Sequence, residues 1–168
     1  TYMLQKIFTA KEIAVVMVQH FKEVFRSLEA EMKESVLAKE FGFTPHQHVI
    51  LASIVEKETG SGQERPLIAS VFLNRLRKRM RLQTDPTIVY GIYLDTGSWN
   101  GNITRRHLDS PHEYNSYKHD GLPPGPISNP GLNALKAVIS PANTDYLYFV
   151  SRGDGTSIFS KEYGAHTK

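Results

Sequence analysis

Two helix starts are written into the first third of this chain, and they limit the folds open to it. Thr9-Ala10-Lys11-Glu12 is a capping box: the threonine hydroxyl accepts an exposed backbone N–H while the glutamate reaches back. Thr44-Pro45-His46-Gln47 repeats the device with glutamine, and Pro45 sits at the first helical position, where its missing N–H costs nothing. After the first box, Ile13, Val16, Met17, Phe21, Val24, Phe25 and Leu28 recur at three- and four-residue steps, the spacing of one apolar helical face. That helix is expected to continue, with a break, towards Glu40 and to stop at Gly42. The second box opens a helix expected to end at Gly60 in a left-handed terminator, with Ser61-Gly62 making the turn. A third helix is expected from Glu64 to Arg79, with Leu67, Ile68, Val71, Phe72 and Leu76 inward. Asp85-Pro86 starts a short helical turn through Tyr90, and Pro130 to Ser140 forms a further short helix.

The second half changes character. Between Gly91 and Gly131 the chain is rich in Gly, Pro, Asn, Ser and Tyr, and long loops in a compact domain tend to carry function. Near the end, Tyr146-Leu147-Tyr148-Phe149-Val150 and Ser157-Ile158-Phe159 flank Arg152-Gly153-Asp154-Gly155, the pattern of a β-hairpin. The expected class is therefore α+β: N-terminal helices, long Gly/Pro-rich loops, then a small antiparallel sheet. With 168 residues, 40% of them hydrophobic, the chain suits a single domain over 1–168.

A formal net charge of +3 and a pI near 9.1 make the surface mildly basic. That suits an anionic partner, whether nucleic acid, phospholipid or cell-wall polymer, without selecting one. There is no cysteine, so disulfides and thiolate metal sites are excluded. No apolar run is long enough to cross a bilayer and no signal peptide is visible. The chain opens at Thr1 without a start methionine, and the expectation is a processed form or an excised domain.

Two glutamates, Glu56 and Glu58, stand in the stretch Ile50 to Gly60. With Ile50 at zero and about 100° per residue, Ile54, Leu51 and Val55 fall at about 40°, 100° and 140°. Glu58 falls at about 80°, inside that apolar stripe, and Glu56 at about 240°, opposite it. Glu56 is thus expected to be solvated or salt-bridged. Glu58 points towards the core or a cleft, in a last helical turn whose free carbonyls disfavour negative charge. Burial also raises a carboxyl pKa, and a carboxylic acid kept neutral near pH 7 can protonate a leaving oxygen. The structural alternative is a helix-end glutamate that lifts its head into solvent or pairs with an arginine.

Arg75, Arg77, Lys78, Arg79 and Arg81 form a basic run, expected as a solvated helix face with cations in its last turn. It could also attract the carboxylates of an anionic polymer or nucleic-acid phosphates, but no recognised nucleic-acid motif accompanies it. His46 and His48 fall on different helical faces, and His107, His112, His119 and His166 show no ligand spacing, so neither a metal nor another cofactor is expected. No Ser-His-Asp set can be picked out by spacing.

ILASIVEKETG, then Glu64-Arg65-Pro66 and Ala69 to Leu76, resembles the endolytic murein transglycosylases, the YceG-like family. Met80-Arg81-Leu82-Gln83-Thr84-Asp85-Pro86-Thr87, Tyr114-Asn115-Ser116-Tyr117, Gly121-Leu122-Pro123-Pro124-Gly125-Pro126-Ile127, Asn129-Pro130-Gly131 and Asp145 to Val150 follow in the family's order. Thr1-Tyr2 is similar to the end of an Asp-Thr-Tyr motif that opens the family's domain. The resemblance implies a bacterial enzyme at the extracytoplasmic face of the inner membrane. It would cut peptidoglycan glycan strands internally, between N-acetylmuramic acid and N-acetylglucosamine, and leave 1,6-anhydromuramic ends. It implies a lysozyme-like catalytic glutamate at Glu58, acting as acid and then as base. Glu58-Thr59 is similar to the Glu-Ser step of other lytic transglycosylases, Leu82-Gln83 to their Met-Gln motif, and Tyr114-Asn115 to their Tyr-Asn motif. Expected substrate contacts are Thr59, Gln83, Asp85, Tyr114, Asn115 and Tyr117. Asp85 and Gln83 have structural alternatives, as helix cap and loop support; Tyr114, Asn115 and Tyr117 could instead pin a loop. Gly121 to Pro126 is expected to shape a cleft wall. The resemblance further implies cell-wall synthases as partners, and an N-terminal membrane helix and extra module that this sequence does not display. A non-catalytic glycan-binding module is the alternative function, and a basic nucleic-acid-binding domain a more distant one.

Overall fold

The computed structural model describes residues 9–166, with side chains to residue 164; Thr1-Tyr2 and the side chain of His166 lie outside it. The elements run α1 (Ala10–Glu34), α2 (Val36–Phe41), α3 (Pro45–Glu58), α4 (Arg65–Arg77), α5 (Asp85–Thr96), α6 (Arg105–Leu108), α7 (Leu132–Ile139), β1 (Tyr148–Ser151), β2 (Ser157–Ser160) and α8 (Tyr163–His166). The fold is mostly helical with one two-stranded antiparallel sheet, an α+β arrangement.

Both capping boxes form, at Thr9/Glu12 and at Thr44/Gln47. The break before Glu40 lies at Ser35, which has extended backbone and whose hydroxyl caps α2 at the Ala38 N–H. Gly42 ends α2 at φ 68, a conformation that a Cβ would disfavour. The same Ser35 hydroxyl meets His48 Nε2 at 2.7 Å in the interior, while His48 Nδ1 lies 2.8 Å from the Thr44 carbonyl. His48 is thus a satisfied core histidine, and burial lowers its pKa.

The apolar face of α1 is used only in part. Leu28 and Met32 are buried and Val24 and Phe25 pack against the core, but Met17 and Phe21 are exposed. Helix α3 is the central element, packed by α7, α4, α1 and α5. Residues 48–55 are all buried, so α3 is wrapped rather than one-sided. Leu51, Ile54 and Val55 interlock with Ile68 and Phe72 of α4 and with Leu135 and Val138 of α7. Burying each such side chain stabilises the fold by about 1.5–3 kcal/mol before entropy is counted.

Three expectations are corrected. The helix from Asp85 does not stop at Tyr90 but runs to Thr96, so α5 and the short α6 occupy part of the expected loop. Ile92, four residues after Ile88, prolongs the helical pattern beyond the buried glycine Gly91. Gly60 is not a left-handed terminator: α3 leaves through Thr59 in extended backbone, and Thr59 Oγ1 accepts the Ser61 N–H instead. The basic run is split. Arg75 is buried and Arg77 pairs with Glu40; beyond the helix, Arg81 pairs with Asp120. Arg75 turns inward because α4 is covered on that face by the segments carrying Leu82 and Leu147, whose carbonyls it bonds.

The hairpin pairs Tyr148 with Ser160 and Ser151 with Ser157, and its turn closes through Arg152 N–H to Thr156 O. Two tethers fix it. Asn74 donates to the Thr144 and Tyr146 carbonyls at 2.7 and 3.0 Å, which holds the strand's approach on α4. Glu64 accepts the Ser157 N–H at 2.7 Å and its hydroxyl at 3.0 Å, which draws β2 over the end of α3.

Candidate active site

The end of α3 opens into a cleft of about 430 Å³. Glu58 and Thr59 form one side, Gln83, Thr84 and Asp85 the next, with Tyr117 beyond them. Phe149 to Ser151 and Gly155 to Ser157 of the hairpin close it. The hairpin therefore supplies the wall expected of Gly121 to Pro126. That loop instead anchors inward, where the Ile127 N–H reaches Ser53 Oγ at 2.9 Å and Gly125 sits under the Tyr114 hydroxyl.

Glu58 is partly buried at the base of the cleft, and Thr84 Oγ1 donates a hydrogen bond to its Oε1. Its pKa is pushed up to about 7. Burial is the largest cause, and the nearby charge of Asp85 adds to it; the Thr84 hydroxyl and the Arg75 guanidinium act the other way. Glu56, two residues earlier, has different surroundings. It pairs with Arg65 at 3.0 Å and accepts the Gly131 N–H at 3.1 Å, and so ties α3 to α4 and to the start of α7. It is the salt-bridged member of the pair, as its place on the wheel implied.

The segment after α4 is shaped to present Gln83 to Asp85. Gln83 has φ 48, a left-handed conformation that is unfavourable for a side-chain-bearing residue and is held here by flanking bonds. Its N–H donates to the Ser116 carbonyl at 3.1 Å, and the Thr84 N–H donates to Ser116 Oγ at 3.0 Å. Asp85 is the first residue of α5 rather than its cap. Thr84 holds the cap position and spends its hydroxyl on Glu58. The Asp85 carboxylate accepts the Tyr117 hydroxyl at 2.6 Å, and burial together with this bond raises the tyrosine's pKa.

Of the expected contact residues, Thr59, Gln83, Asp85 and Tyr117 gather around Glu58. Tyr114 and Asn115 do not. Asn115 is buried and donates from Nδ2 to the carbonyls of His107, Leu108 and Ser110, so it pins the loop. The Tyr114 ring packs against Tyr90 with 4.9 Å between centroids and a tilt of 56°. Sequence reasoning missed Thr84, Arg75, Glu64 and the hairpin residues. The Gln83-Thr84-Asp85 run gave a signal for Thr84 alone, as a hydroxyl between two suspected contacts. Among the described residues no group of His, Asp or Glu has the arrangement of a metal site.

The raised pKa has a consequence for stability. In the unfolded chain Glu58 releases its proton near the ordinary value of 4.5, whereas the folded protein keeps it to about 7. Stability therefore falls as pH rises between those values, and the full cost, up to about 3 kcal/mol, is present above the upper one. Glu58→Gln replaces the carboxyl with a neutral group of the same shape. In urea titrations the variant is expected to be more stable than the parent above pH 7 and to lose that advantage below pH 4.5. An advantage independent of pH would mean that Glu58 ionises normally.

The model of the YceG-like family matches residues 1–168. The chain is 35% identical over 158 residues to an endolytic murein transglycosylase of Bacillus subtilis (strain 168), covering 94% of this chain and 41% of that protein. It is 38% identical over 120 residues to an endolytic murein transglycosylase of Streptococcus pneumoniae serotype 2, covering 67% of this chain and 21% of that protein. The chain thus spans less than half the length of these relatives. The crystal structure of a YceG-like protein from Listeria monocytogenes superimposes with a TM-score of 0.82 at 36% identity, covering 99% of this chain and 52% of that one.

Proposed function

The chain belongs to the YceG-like family, and from that premise we propose that it is the catalytic domain of a lytic transglycosylase that cuts peptidoglycan glycan strands internally. The observation that carries the reading is one carboxyl, Glu58, whose pKa lies near 7 and which stands at the base of an open cleft.

The proposed reaction needs no other proton carrier. Neutral Glu58 gives its proton to the glycosidic oxygen between N-acetylmuramic acid and N-acetylglucosamine, and the C1–O bond breaks. Thr84 occupies Oε1, which leaves Oε2 for the proton in transit. Arg75 lies close enough to lower the pKa of Glu58, so it steadies the carboxylate that forms. The sugar's own C6 hydroxyl then attacks C1 and surrenders its proton to that carboxylate. The ring closes as a 1,6-anhydro sugar, Glu58 is neutral again, and water is not consumed. Asp85, oriented by Tyr117, places a second carboxylate beside the cationic sugar, while Thr59 and Gln83 are the polar groups positioned to hold it.

The proposed workplace is the extracytoplasmic face of the bacterial inner membrane, alongside cell-wall synthases. None of the described helices is long and apolar enough to cross a membrane. The test is digestion of purified, uncrosslinked glycan strands, followed by size analysis. Internal cutting is expected to collapse the mean strand length early, with intermediate lengths before small fragments. Intact strands after prolonged incubation would remove the enzyme reading and leave a binding module.

A further inference from the structure

A second groove, of about 820 Å³, opens on the far side of Asp85. Asp85 lines both hollows, so the groove continues the Glu58 cleft rather than standing apart from it. Lys57, Tyr90, Tyr93, Trp99 and Ile103 make up much of its surface. Tyr93 is 58% exposed and Trp99 42%, large aromatic faces on a surface that loses solvation free energy by showing them. Tyr90, on the same groove, packs against Tyr114, which is itself packed against His112 at 5.9 Å. Nothing in the proton transfers at Glu58 uses any of these rings.

We propose that this groove is a saccharide-binding extension of the cleft, which takes the amino-sugar rings of the strand on one side of the bond to be cut. The inference rests on the function proposed above. A pyranose ring has apolar C–H faces and a polar rim, and the groove has the complementary layout, aromatic faces flanked by the charged ends of Lys57 and Asp85. An internal cutter must hold the polymer on both sides of the reacting bond. The hairpin flanks Glu58 on one side, and the Tyr93–Trp99 groove supplies the other.

Trp99 is the one tryptophan in the chain, so its emission reports on this groove alone. The experiment titrates Glu58→Gln with soluble glycan strands stripped of their stem peptides, and follows tryptophan fluorescence while calorimetry follows binding. A saturable blue shift that tracks binding is expected. Adding Tyr93→Ala is expected to weaken the titration about tenfold, the effect of truncating one aromatic anchor. Phe21→Ala, on the exposed face of α1, is expected to leave it unchanged. Strand binding with silent Trp99 emission overturns the proposal, as does a response only to strands that still carry stem peptides. Turnover by the parent chain is measured alongside. Cleavage with silent Trp99 removes the groove and keeps the enzyme. A Trp99 response without cleavage keeps the groove and removes the enzyme. Neither signal removes both.

Discussion

Glu58→Gln is expected to lower strand cleavage by more than about 10³-fold, while circular dichroism and strand binding stay as in the parent. General acid–base catalysis by a placed side chain is worth about 10²–10⁴-fold, and in the proposed reaction one group serves both steps, so the loss should sit in the upper part of that range. Glutamine keeps the shape of the side chain and can still accept the Thr84 hydroxyl, so the geometry of the cleft should survive. The pH dependence gives a second reading of the same group. The proposed reaction starts from the neutral acid, so parent kcat/KM is expected to fall as pH rises through about 7. A variant that still cut within tenfold of the parent would show that the proton comes from elsewhere, with Asp85 the nearest candidate.

Arg75→Met is expected to cause a large loss of stability, on the order of 3 kcal/mol. The guanidinium donates to the Leu147 carbonyl at 2.7 Å and to the Leu82 carbonyl at 2.5 Å, and lies over the Tyr148 ring at 5.3 Å from its centroid. Each buried carbonyl left without a donor costs about 1–3 kcal/mol. Removing a buried charge gives some of that back, since burial already disfavours the cation and lowers its pKa. The lost bonds outweigh this relief because both carbonyls belong to segments fixed elsewhere and cannot turn to water. Urea unfolding should show a lower midpoint with an unchanged slope. Arg75→Lys should restore only part of the loss, because a point charge cannot fork to two carbonyls. An unchanged midpoint for the methionine variant would mean that the Leu82 and Leu147 segments are held without Arg75.

Much of the helical frame was legible because its signals are local. Thr9/Glu12 and Thr44/Gln47 act over one turn, and Gly42 acts on its own backbone. The hairpin was legible for the same reason, two short β-prone runs around a Gly-Asp-Gly turn. What could not be read depends on partners distant in sequence. Arg75 looked like one cation among five until the Leu147 segment covered it. The cleft wall was expected in a proline-rich loop, because the Glu64–Ser157 tether joins residues 93 apart. Gly60 failed as a terminator because the chain leaves α3 extended, and Thr59 provides the local bond instead.

The two glutamates show both the reach and the limit of the helical wheel. It separated Glu56 from Glu58, yet α3 is buried on every side through Val55, so an apolar stripe alone does not define the site. Their partners distinguish them: Arg65 pairs with Glu56 directly, whereas Glu58 meets a single hydroxyl and the opposing fields of Asp85 and Arg75. Tyr114 and Asn115 show a further limit. A tyrosine and an amide can face a sugar or hold a loop, and only the three carbonyls around Asn115 Nδ2 decide for the loop.

Because Asp85 puts a second carboxylate in the cleft with Glu58, hydrolysis and ring closure are both chemically open there, and the product end separates them. Mass spectrometry of strands digested by the chain is the most direct measurement. Single-glutamate chemistry gives new muramic ends lighter by one water than reducing ends, with no incorporation of heavy oxygen from labelled water. New reducing ends that carry the label would contradict it and would make Glu58 and Asp85 a hydrolytic pair.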